Sequence, residues 1–208
     1  QDNPDCALCW SYLARLGAVH WSTGMPGEVP PIEASVDAAR RGVALCPTDL
    51  RCRLLLGYVH LVNDQVDQAR CEAEMALQLG EGSIFWLDGI GYLLTLTGDW
   101  ERGPGLVKKA TRMNPYHRKI CHGALWLDAL RRGDPEEAMV AAREYTPITN
   151  FWHPLMRAAA AVAGNDMDEA ISQGRRLLDL RPDFPERGRW LITRYIKSSE
   201  LVETITQA

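Results

Sequence analysis

The chain has 208 residues, 46% of them apolar and 24% charged, with a formal net charge of −4. That balance excludes a disordered chain and supplies enough apolar side chains for a substantial core. No basic stripe marks a nucleic-acid surface, and no apolar run approaches the roughly 20 residues of a membrane span.

In chain order, the segment CALCWSYLARLGAV, 6–19, carries helical apolar spacing. HWSTGMPGEVPPIE, 20–33, follows with three prolines and two glycines and is read as an insertion before a second helix over 34–45. Further helical segments come in pairs. Each pair is split by a short turn: NDQV at 63–66, GDWE at 98–101, GDPE at 133–136 and NDMD at 165–168. Prolines that end helical runs, Pro47, Pro115 and Pro182, are 68 and 67 residues apart. The small residue opening each second helix is Ala69, Gly103, Ala138 or Ala170. Gly57 and Gly91 are 34 residues apart, and Ala158 follows 67 later. Two antiparallel helices approach closely only at small residues, so these positions predict stacked helix pairs.

A helix–turn–helix unit recurring every 34 residues resembles the tetratricopeptide repeat, whose pattern is W-x2-L-G-x2-Y, A-x3-F and a terminal Pro. The resemblance implies an all-α, right-handed solenoid of about five units at 5–47, 48–81, 82–115, 116–149 and 150–182. The tail 183–208, with helices over 185–196 and from Ser199, is expected to cap the stack. The aromatic places are degenerate: Ala73 and Val107 stand where Phe is usual. The fourth unit departs most, with Trp126 at a small-residue place and Pro147 ending its second helix early. Looser or re-angled packing is expected there. The phrase GDWERGPGLVKKATRMNPYH and the tail resemble repeat regions of bacterial multidomain signalling proteins that carry an adenylate-cyclase-type or DNA-binding domain. A start at Gln1 and an end within a helical pattern point to a piece of such a protein.

Six cysteines, Cys6, Cys9, Cys46, Cys52, Cys71 and Cys121, are expected as reduced thiols in a cytoplasmic setting. Cys6-x-x-Cys9 has no second such pair for zinc and falls within a helical pattern, which predicts two small core residues. The five histidines show no metal spacing, and Cys121-His122 is an isolated pair. Neither a phosphate loop nor a G-x-S-x-G elbow occurs. Arg132-Gly133-Asp134 belongs to an ordinary inter-helix turn. No catalytic residue, metal or cofactor is expected.

In tetratricopeptide proteins the first helices line a concave, peptide-binding face. The matching places are Leu54, Tyr58 and Leu61; Asp88, Tyr92 and Thr95; Gly123, Leu127 and Leu130; Leu155, Ala159 and Val162. The Lys and Asn that grip a terminal carboxylate in chaperone-binding relatives are missing from these places. The resemblance therefore implies an apolar groove for a peptide or helix, with Leu54, Tyr58, Asp88, Tyr92, Leu127 and Leu155 as contact residues and Asp88 as an acidic spot. The competing readings are that these residues are core, or are covered by a neighbouring domain. Self-association into a homodimer and a thiol-dependent enzyme using Cys6 and Cys9 are the alternative functions. Neither nucleic acid nor membrane is an expected partner.

Overall fold

Four turns with one shared conformation set the architecture. The computed structural model describes residues 4–24, 28–80 and 83–208. In each turn one residue has left-handed backbone: Asp64 (φ 59°), Gly98 (90°), Gly133 (71°) and Asn165 (58°). The next N–H reaches back across the helix end, from Gln65 to the His60 carbonyl and from Asp99 to that of Leu94. Asp134 does the same to Ala129, and Asp166 to Ala161, each at 2.9 Å. This is the Schellman closure, which favours Gly or Asn in the left-handed place. Asp134 and Asp166 then cap the following helix by accepting from the amides of Glu137 and Glu169. The recurring Asn/Asp/Gly phrase is thus one turn-and-cap device used repeatedly.

The paired helices are α1 (Ala7–Thr23) with α2 (Ile32–Leu45) and α3 (Leu50–Val62) with α4 (Val66–Leu79). α5 (Leu87–Leu96) pairs with α6 (Gly103–Met113), α7 (His122–Arg131) with α8 (Pro135–Glu144), and α9 (Trp152–Ala163) with α10 (Met167–Leu180). Each odd-numbered helix also packs on the next odd one, from α1 to α9. The small residues lie where the backbones meet: Ala69 and Ala138 are fully buried, and Gly91 and Gly103 touch backbone to backbone. No strand occurs among the described residues.

Three features differ from the sequence expectation. The insertion is shorter than 20–33. α1 continues through Thr23 until Gly24 caps it at φ 61°, and α2 begins at Ile32. Residues 25–27, within that insertion, lie outside the described residues. Trp126 occupies a small-residue place yet is 1% exposed, its indole N–H donating to the Met156 carbonyl at 3.0 Å. The Ala-rich α9, with Ala158, Ala159, Ala160 and Ala161 all buried, leaves room for it.

The third difference is the way in which the tail caps the stack. α11 (Phe184–Thr193) and α12 (Ser199–Thr206) do not simply extend the stack, for α12 lies against α7 and α9. Leu191, Ile192, Ile196, Leu201, Val202 and Ile205 all join the main core. They form the inner face of the cap, while Glu186, Arg187, Arg189, Glu200 and Glu203 are exposed and keep its outer face polar. The tail also reaches the first two units. Tyr195 hydrogen-bonds Ser22 at 2.9 Å, Trp190 packs on Trp21, and Arg194 and Lys197 both pair with Asp64. Arg181, just before it, donates to the Thr23 carbonyl at 2.6 Å.

Candidate functional site

The odd-numbered helices form one continuous face, and the six candidate residues divide along it. Leu54 and Tyr58 on α3 and Tyr92 on α5 surround a hollow of ≈ 140 Å³ together with Tyr12, Arg15, Leu55, Trp86, Gly89, Arg118, Ile120 and Cys121. Leu127 lies away from it, in a cleft beside Ile196 of the tail. Leu155 does not line the hollow and is 3% exposed. Much of the apolar face is therefore occupied by the chain's own C-terminal helices, and the hollow next to α1 is one part left open.

Inside the hollow the polar atoms are specifically arranged. The Tyr58 hydroxyl donates to the Gly89 carbonyl at 3.0 Å, and its ring lies 6.3 Å from that of Tyr92 at a tilt. Gly123 makes room for Tyr92, since a Cβ there would stand 2.9 Å from its hydroxyl. Burial raises both phenols, so each keeps its proton. Arg15 stacks 5.0 Å above Tyr58, and Arg118 4.6 Å above Trp86. Arg15 Nη1 is buried without a hydrogen-bond partner among the described residues.

Asp88 is not an accessible acidic spot. It is 2% exposed and is bound by both the guanidinium and the amide of Arg118. Burial works against its charge, but the Arg118 hydrogen bonds outweigh that and hold the carboxyl below the usual aspartate range. The sequence placed Asp88 by repeat position, which says nothing about a cation thirty residues later. Arg15 and Tyr12 went unassigned because the insertion obscures the repeat register of α1. Trp86 and Arg118 lie just outside helices, where the repeat pattern offers no signal.

Two thiol and imidazole expectations need correction. Cys6 and Cys9 are disulfide-linked rather than reduced, with Cα atoms 5.2 Å apart. Cys6 is the N-cap of α1, not an interior helical residue, and one helical turn brings Cys9 against it. His117, Cys121 and His122, given no metal role by their spacing, converge: one donor atom from each lies within 4.8 Å of the others. They belong to a loop, a 3₁₀ turn over Lys119–Cys121 and the first residue of α7, so no single helical spacing unites them. Burial pushes the Cys121 thiol up to about 12, and burial, reinforced by the adjacent His117 imidazole, pushes His122 down to about 4.

No protein-family model matches the chain, and no curated protein matches it by sequence. Among solved structures it is similar to the crystal structure of MamA protein, a tetratricopeptide-repeat protein, with a TM-score of 0.51. The match is 14% identical and covers 85% of this chain and 94% of that one. The fold is a tetratricopeptide-like helical solenoid. Within that solenoid the hollow lies between the first helices of the first three units, α1, α3 and α5. No helix among the described residues is long and apolar enough to cross a membrane.

Proposed function

We propose that this chain is a non-catalytic interaction module that takes a peptide or helix in the hollow bordered by Leu54, Tyr58 and Tyr92. Arg15 carries the reading. Its side chain is partly buried over an aromatic ring at the edge of an open apolar hollow, and its buried Nη1 has no hydrogen-bond partner among the described residues, so a bound acceptor would satisfy it. The favoured ligand places an apolar side chain between the tyrosines and a backbone carbonyl or carboxylate against Arg15. Leu127 and Leu155 belong to the same inner face but lie outside the hollow. The fold similarity to another tetratricopeptide protein supports an interaction role, since such solenoids present extended binding surfaces. The resemblance of the 98–117 phrase and the tail to bacterial signalling proteins supports a regulatory role in a cytoplasmic protein of that kind.

Peptides selected from a random library against the chain should carry an aromatic or aliphatic anchor. Tyr92→Ala and Arg15→Ala should each weaken them at least about tenfold, the effect of about 1.4 kcal/mol. Salt should weaken binding only modestly, because Arg15 is one charge and Arg118 is already neutralised. Circular dichroism first establishes that each variant folds. Parental affinity in both folded variants would remove the hollow as the binding site.

A second reading, self-association, is favoured by α1. Leu13 and Leu16, one helical turn apart, are 58% and 68% exposed, and Tyr12, 47% exposed, extends this apolar surface to the rim of the hollow. Sedimentation should then show a dimer that Leu13→Glu with Leu16→Glu converts to monomer. A monomeric parent at all concentrations would exclude it.

A further inference from the structure

Where the third helix pair passes to the fourth, two imidazoles and a thiol turn toward one point. His117 Nε2 and His122 Nε2 are 3.0 Å apart, and Cys121 Sγ completes a group spanning no more than 4.8 Å. The His117 Nδ1 atom is 3.0 Å from the Asn114 carbonyl oxygen. A carbonyl only accepts, so Nδ1 carries the ring proton, and Nε2 of the neutral ring presents a lone pair toward His122. This backbone carbonyl behind an imidazole is the usual outer partner of a metal-ligating histidine. We propose that His117, Cys121 and His122 form a binding site for a divalent transition metal of the Zn²⁺ class.

Tetrahedral zinc with Zn–N bonds of about 2.0–2.1 Å needs its two nitrogens roughly 3.3 Å apart, a few tenths more than the separation present. One thiolate with two imidazoles is a borderline-soft donor set, suited to Zn²⁺ and poorly suited to Mg²⁺ or Ca²⁺. A histidine pair sharing one proton needs no thiol, whereas here a buried thiol is the third donor. The loop is also fastened on both sides. Asn114 Oδ1 accepts from the Tyr116 amide at 3.0 Å, and the Arg118 amide donates to Asp88 at 2.9 Å. The Cys121 amide in turn donates to the Arg118 carbonyl at 3.0 Å. Donors on so constrained a loop meet a cation with little further ordering cost.

Binding removes the Cys121 proton to solvent and forms a sulfur–metal bond; the proton that His122 Nε2 shares with His117 Nε2 moves to His122 Nδ1 through solvent exchange, which frees both Nε2 lone pairs as the other ligands. The nearby carboxylates are both engaged, Glu144 by Lys119 and Asp88 by Arg118. The fourth position therefore falls to water, leaving an exchangeable site rather than a closed structural one. Cys121 also lines the hollow described above, so metal occupancy is adjacent to the peptide surface, although the site does not depend on that function.

The test titrates the intact 208-residue chain, with its Cys6–Cys9 disulfide, with Co²⁺ and then displaces it with Zn²⁺. One Co²⁺ per chain should bind, giving a thiolate-to-cobalt charge-transfer band and visible bands of tetrahedral intensity. C121S should abolish the charge-transfer band. H117Q, a change on the partly exposed loop, should weaken Zn²⁺ by more than the 10–100-fold that loss of an outer partner costs. Zinc should raise the melting temperature of the parent and leave that of H117Q unchanged. Cys71→Ser, which removes an exposed thiol elsewhere, should bind like the parent. The proposal is overturned if the parent shows no saturable uptake, or if folded H117Q keeps both the cobalt spectrum and the parental affinity.

Discussion

Gly91→Leu is expected to cost about 3 kcal/mol, the upper end of the usual penalty for overpacking a close-packed contact. A Cβ at Gly91 would stand 2.7 Å from the Gly103 carbonyl oxygen, 2.9 Å from Leu106 Cβ and 3.0 Å from Val107 Cγ2. The first of these is backbone and cannot rotate aside. Gly103 is equally confined, since a Cβ there would lie 2.7 Å from the Thr95 amide nitrogen. α5 and α6 must therefore separate to admit any side chain. At roughly 2–4 °C per kcal/mol for a chain of this size, the melting temperature should fall by about 6–12 °C. Gly174→Ala provides the opposite control. It lies within α10 with nothing within 4 Å of its Cβ position, and alanine there should stabilise by about 0.5–1 kcal/mol. An unchanged melt for Gly91→Leu would remove Gly91 from the α5–α6 contact.

The contrast between these glycines shows what a repeat makes readable. Turn phrases and small residues are local requirements, imposed again by each unit, so their period survives in the sequence. Asp64, Gly98, Gly133 and Asn165 share a left-handed backbone, and their neighbours share one hydrogen-bond pattern. Helix existence and pairing followed directly. The candidate site was only half readable. Repeat position brought Leu54, Tyr58 and Tyr92 to one hollow but could not reveal that Ile196 would lie over Leu127. The tail's return depends on contacts spanning most of the chain, such as Ser22 with Tyr195, and no periodicity records them. The same holds for His117, Cys121 and His122, which a loop and a 3₁₀ turn bring together. The tail carries the polar outer surface expected of a cap, with Glu186, Arg187, Arg189, Glu200 and Glu203 exposed. Its six buried aliphatic residues face the core, and the sequence did not show which helices they would meet.

Arg118→Met should destabilise the chain by about 2–4 kcal/mol, because it leaves the Asp88 carboxylate buried without its counter-charge. Loss of one member of a buried pair costs about 3–5 kcal/mol. The estimate is reduced here because the Arg118 side chain is 43% exposed, while that of Asp88 is only 3% exposed. After the change, Asp88 keeps the amides of Gly89 and residue 118, at 2.6 and 2.9 Å in the parent, but loses the guanidinium. Asp88→Asn removes the charge and returns part of that loss, so Asp88→Asn with Arg118→Met should cost less than the sum of the single changes. The acid limb provides an independent measure. The folded Asp88 pKa lies below the ordinary 3.8, so its contribution is present above that value and disappears as pH falls through the folded pKa. Asp88→Asn should flatten that part of the stability–pH curve. Additive single and double changes, with an unaltered acid limb, would mean that the pair is not coupled. The pair also fixes the loop that begins α7, because the Arg118 amide itself is bound to Asp88. Breaking it should therefore disturb the hollow and the histidine–cysteine cluster together, one through Arg118 over Trp86 and the other through the Cys121 amide held by the Arg118 carbonyl.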